Sequence, residues 1–159
     1  MTTYQAPDAA LFVMSNTLRG DKWGTHVYSK FAPSNIFDRA SGWVVIRIGS
    51  DEDGAQRGNR SNRVLTVKVQ AISADGEWCE RASSRIYDLL NESGSQDRRG
   101  NLASTDADYR SIGTHSEWTF TTVTVGRAIR IEPNKEYGIK YFEYGYEFMI
   151  RMEDKSDFN

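Results

Sequence analysis

The spacing of hydrophobic residues changes several times along the chain, and each change marks an element. Between about residues 7 and 19, Ala10, Leu11, Met14 and Leu18 recur at helical spacing. Pro7 suits a first helical position, where its missing N–H is an orphan in any case. Asp8 stands in the first turn, where the helix dipole favours an anion, and Gly20 offers a C-cap. Phe12 and Val13 widen the apolar stripe beyond one face, so this helix needs cover on two sides. Two arrangements provide it: burial in the chain's own core, or one face in a subunit contact carried by Leu11, Phe12, Met14 and Leu18.

A short strand is predicted at His26–Phe31, ended by Ala32-Pro33-Ser34-Asn35. A firmer one follows at Trp43–Ile48, where Val44, Val45, Ile46 and Ile48 cluster. Arg63–Ile72 alternates strictly: Leu65, Val67, Val69 and Ala71 on one side, Thr66, Lys68 and Gln70 on the other. That period of two predicts one buried and one wet face. It then gives way to a narrow helical stripe over 76–90, Trp78, Cys79, Ala82, Ile86, Leu89 and Leu90, with Asp75 as N-cap.

The last third is β. Thr119–Val125 and Arg127–Glu132 alternate, with Gly126 as a break between them. Tyr137, Ile139 and Tyr141 share one parity, whereas Tyr144, Tyr146, Phe148, Ile150 and Met152 share the other. A change of parity sends side chains to the opposite face, so a bulge or tight bend is expected near Glu143–Gly145. Two polar stretches, about 49–62 and 93–116, read as long loops, each either plain surface or ordered by a partner. The tail 153–159 is polar and expected to fray.

These elements predict an α+β fold: a mixed, mostly antiparallel sheet with two main helices packed on it and long polar loops. The length of 159 residues allows one domain, 1–159, with its core over about 7–152. Hydrophobic residues are 38% of the chain, lean for a globular domain, and aromatics are 12%, so a few large rings must supply much of the burial. The net charge of −2 excludes a dedicated basic nucleic-acid module. A single cysteine, Cys79, excludes an internal disulfide and favours a reducing, cytosolic site of folding. No apolar run reaches membrane-spanning length, and the first residues carry no signal-peptide pattern, so no membrane partner is expected.

Chemistry was sought and no constellation emerges. Only His26 and His115 are present, far from Cys79, too few for a zinc site or a Cys/His nucleophile. Asp51-Glu52-Asp53-Gly54 lacks the alternating frame of an EF-hand and reads as a solvated turn. Gly54-Ala-Gln-Arg-Gly58 lacks the Gly-Lys-Ser/Thr ending of a phosphate loop. No catalytic, metal or cofactor residues are assigned, and an enzyme is not expected. One feature is suggestive: Arg57, Arg60 and Arg63 in one loop, and Arg98-Arg99 in the other, without intervening acids. Guanidinium groups so placed can meet phosphate or a partner's carboxylates, or serve only as solubilising charge.

The order of elements resembles that of the tail terminator, or tail completion, proteins of long-tailed bacteriophages and gene transfer particles. The carrying segments are the alternating strand Arg63-Val-Leu-Thr-Val-Lys-Val-Gln-Ala71, the helix Asp75–Leu90 that follows directly, and the closing strand Tyr144-Gly-Tyr-Glu-Phe-Met-Ile-Arg-Met152. The resemblance spans about residues 7–152 and is one of pattern; the polar loops and the β segment at 119–141 exceed it. It implies a mixed sheet with packed helices and a homo-oligomeric ring, commonly hexameric, in the virion at the head-proximal end of the tail, assembled in the host cytoplasm. There the ring stops growth of the tail tube protein and meets the head–tail connector protein, with DNA passing through non-specifically. Rival expectations are a connector adaptor or baseplate structural protein, a monomeric β-rich ligand-binding domain with the Tyr141–Phe148 aromatics in a pocket, and a small nuclease using Asp51 or Asp53.

Overall fold

The computed structural model describes residues 6–19, 26–33, 35–36, 40–53, 62–90 and 118–154. In chain order they form helix α1 (Ala6–Arg19), strands β1 (Val27–Ser29), β2 (Gly42–Asp53) and β3 (Asn62–Ser73), helix α2 (Gly76–Leu90), and strands β4 (Trp118–Ile131) and β5 (Phe142–Asp154). The strands make one five-stranded sheet in the order β1-β2-β3-β5-β4. Only the β1–β2 pair is parallel; the other pairs are antiparallel. The architecture is therefore α+β and mostly sheet.

Alternation along the strands sorts the sheet into two faces. On one face Val44 and Ile46 of β2, Leu65, Val67, Val69 and Ala71 of β3, Val123 of β4, and Phe148, Ile150 and Met152 of β5 form the main core. Helix α2 lies across this face and inserts Cys79, Ala82, Ile86 and Leu90. Its N-terminus is capped as its sequence predicts: Asp75 Oδ1 accepts from the N–H groups of Glu77 at 3.0 Å and Trp78 at 3.4 Å. Helix α1 adds Ala10, Leu11, Met14 and Leu18 to the same core and is tied to β1 by two contacts. Arg19 donates to the Val27 carbonyl at 2.8 Å, and the Ser15 and Ser29 hydroxyls pair at 3.1 Å.

The opposite face is covered only at one end among the described residues. There Ile36, Trp43, Val45 and Ile72 form a second small cluster, with Tyr28, Ala32, Ala40 and Tyr141 against it. The chain turns out of β1 at Lys30, whose φ of 74° is the one positive value among the described non-glycine residues. This turn carries residues 31–33 and 35–36 over that end of the sheet.

Four expectations require correction. The stretch expected to begin a loop at Gly49 continues as β2 to Asp53, with a register shift between Ile48 and Ser50. Asp51-Glu52-Asp53 are thus strand residues paired with Leu65, Val64 and Arg63, not a turn. Gly126 does not separate two strands: β4 runs through it, and the ladder to β5 shifts between Val125 and Arg127. No bulge lies near Glu143–Gly145, because β5 pairs with β3 without a shift from Phe142 onward. The change of parity needs no bulge, because Tyr141 packs on the small cluster of the one face and Tyr146, Phe148, Ile150 and Met152 on the main core of the other. Lys135–Tyr137 form a 3-10 turn, and Asn134 and Ile139 bridge across it. Of the tail expected to fray at 153–159, Glu153 and Asp154 are instead the last residues of β5, paired with Asn62 and Trp118. The remainder of the expected loops, 54–61 and 93–116, and residues 155–159 lie outside the described residues.

Candidate interaction surface

The partly open sheet face carries a row of charge set by strand register. Arg47 of β2 stands beside Lys68 of β3, Lys68 beside Glu147 of β5, and Glu147 beside Arg127 of β4. The Arg127 guanidinium lies 3.3 Å from the Glu147 carboxylate, and Arg47 Nε donates to the Lys30 carbonyl at 3.1 Å. The neighbouring row reads Val45, Gln70, Gly145, Ile129. Gly145 lets β5 approach β3 closely there, since a Cβ at that position would overlap the Val69 carbonyl oxygen. A trough of about 510 Å³ lies on this face, walled by Arg47, Lys68 and Arg127 on one side and by Ile129 and Ile131 on the other.

A second groove of about 530 Å³ continues from it and shares Arg47 and Glu143 as lining residues. Its walls are Phe31, Pro33, Ile36, Trp43 and Tyr141, with Lys140 at the rim. Phe31 is 78% exposed, a large apolar ring held in water beneath the Arg47 guanidinium at 6.0 Å. The two grooves make one concave surface, aromatic at one end and basic along its length. None of it is visible in sequence, because its walls come from five separate segments brought together by the fold.

Those predicted contact residues whose side chains are described, Leu11, Met14, Leu18 and Arg63, fall elsewhere. Leu11, Met14 and Leu18 are 6%, 0% and 0% exposed within the chain's own core, so their burial requires no neighbour. Phe12 belongs to α1, with its side chain outside the described residues. Arg63 is a half-buried residue of β3 that already interacts within the chain. Arg57, Arg60, Arg98 and Arg99 lie outside the described residues, as does His115. The structure therefore does not bring the arginines together into a described site.

Cys79 is fully buried, and its thiol donates to the Phe142 carbonyl at 3.5 Å. Burial first, then the nearby Asp75 charge, pushes this thiol from 9.0 up to about 11. The folded state thus holds the neutral thiol while the unfolded chain ionises near its ordinary value. The resulting stability is present below about pH 9 and is lost as pH rises toward 11, at most about 3 kcal/mol. Thermal melts of the wild type against Cys79→Ala between pH 8 and 11 measure it: the wild type should lose ground steadily, and a constant difference would refute the assignment. Among the described residues no group of three or more His, Cys, Asp or Glu is placed to hold a metal ion. A charged cluster outside the grooves, Arg130 donating to Glu80 at 2.8 Å and lying 4.2 Å from the Tyr144 ring centre, clasps β4 to α2. Tyr144 in turn donates to Glu132 at 3.2 Å.

No protein-family model matches this chain, and no curated protein sequence does either. Among solved structures the chain is similar to one described as "Virion of native gene transfer agent (GTA) particle". That likeness has a TM-score of 0.60 at 16% sequence identity and covers 95% of this chain and 99% of the other. It shows a shared fold over almost the entire length of both.

Proposed function

We propose that this protein is a structural component of a virion, a tail terminator that closes into a ring with copies of itself, caps the tail tube and joins it to the head. The observation that carries the reading is the end-to-end fold likeness to a chain of a gene transfer agent particle. It points in the same direction as the order of strand, helix and closing strand in the sequence. In this reading the protein works through shape and has no reactive centre. The helix-covered face holds the body together, and the grooved face meets other protein surfaces. One ring face matches the end of the tube and offers no surface for the next tube subunit, so growth stops.

Electron microscopy of particles assembled without this protein tests the role. Overlong tails are expected. Complete heads and normal-length tails that fail to join would assign it instead to a connector adaptor, and normal joined particles would remove it from the tail altogether.

A further inference from the structure

Resting on the ring reading, we propose that the concave surface on the partly open sheet face receives the segment around Asp157-Phe158 of a neighbouring copy. The surface states the chemistry of its occupant. Among the described residues Arg47, Lys68, Arg127 and Lys140 line it with Glu143 as the one acid, and Glu147 pairs with Arg127 beside it, so an acidic segment is favoured. Phe31, Trp43, Ile36 and Tyr141 make an aromatic-lined recess at one end, large enough for a single ring. Beyond Met152 the chain reads Glu-Asp-Lys-Ser-Asp-Phe-Asn, an acidic stretch with one aromatic residue.

Reach decides which copy supplies it. The recess lies at the Glu143 end of β5, and the segment leaves from the other end, at Asp154. Those ends are roughly 36 Å apart at about 3.3 Å per strand residue. Phe158 extends no more than about 14 Å beyond Asp154 even when fully stretched. A chain therefore cannot fill its own recess. A contact that joins one end of a molecule to the opposite end of the next, repeated head to tail, is heterologous, and it builds a ring where the rotation between copies closes.

Binding is read by fluorescence anisotropy with a labelled peptide of residues 152–159 and the full-length Phe158→Ala chain, whose own segment lacks the ring. The peptide should bind saturably. Replacing its Phe158 by Ala should weaken binding at least tenfold, and so should Phe31→Ala in the full chain. Phe31 is exposed, so that variant should keep the wild-type melting temperature, and a parallel melt checks it. In the wild type, Phe158→Ala should raise the concentration for half-assembly at least tenfold in sedimentation velocity. No peptide binding, or binding indifferent to Phe31, overturns the proposal even if rings form. Preferential binding of a peptide of residues 104–110, which contains Asp106-Ala-Asp108-Tyr109, also overturns it, by assigning the surface to a different segment. Peptide binding by a chain that stays monomeric would uphold the recognition and sink the ring.

Discussion

Gly145→Ala is expected to abolish cooperative folding, at a cost of at least about 4 kcal/mol, among the largest a single methyl can inflict. Gly145 sits in β5 between Gln70 of β3 and Ile129 of β4, in the centre of the sheet. A Cβ there would overlap the Val69 carbonyl oxygen and stand 2.8 Å from the Gln70 Cα. Both are backbone atoms of a central strand, so nothing flexible can give way. Relief requires opening the β3–β5 ladder, which also carries the main core. Gly138→Ala is the internal comparison. Its φ is 68°, with nothing within 4 Å of an added Cβ, so only conformational strain of about 1 kcal/mol is expected. Urea unfolding of both variants measures the ranking. A Gly145→Ala chain within about 1 kcal/mol of wild type would mean that the two strands do not approach as described.

Phe148→Ala is expected to lower stability by about 3–5 kcal/mol. Phe148 is fully buried on β5, opposite Val67 of β3 and Val125 of β4, with the Tyr146 ring centre 6.3 Å away. Truncation leaves a cavity that rigid strands cannot collapse into. At about 2–4 °C per kcal/mol for a chain of this size, the melting temperature should fall by roughly 10 °C. The neighbouring residue supplies the contrast, since Met149 points to the other face and is 44% exposed. Met149→Ala should change the melting temperature by no more than a degree or two. Comparable losses at both positions in calorimetry would contradict the assignment of faces.

Elements whose sequence period matches their burial were legible before the fold was known. β3 alternates because one of its faces meets the helices, and α2 shows a narrow stripe because its other side is wet. The stripe of α1 named Leu11, Met14 and Leu18 correctly as apolar anchors but left open what they anchor to. The sheet itself uses them. The misread segments are those where pairing overrides local composition. Gly49–Asp53 is polar and acidic, yet it continues β2 because β3 supplies its hydrogen bonds. Gly126 looks like a terminator, but an irregularity in a two-strand ladder lets β4 pass through it. The grooves were beyond the reach of sequence patterns, since Phe31, Trp43 and Tyr141 meet only after strand order and register are set. Gly145 was legible as special, though for the wrong reason: it permits close approach of strands, and no bend occurs there.

The claim that unites the fold and the proposed role is that this chain acts by joining copies of itself. Native mass spectrometry with sedimentation velocity, on the wild type alone and mixed with tail tube, weighs that claim directly. The account predicts a discrete closed assembly near six times 18.1 kDa, forming at high concentration or on contact with the tube. A single species of 18.1 kDa under every condition, tube included, would contradict it.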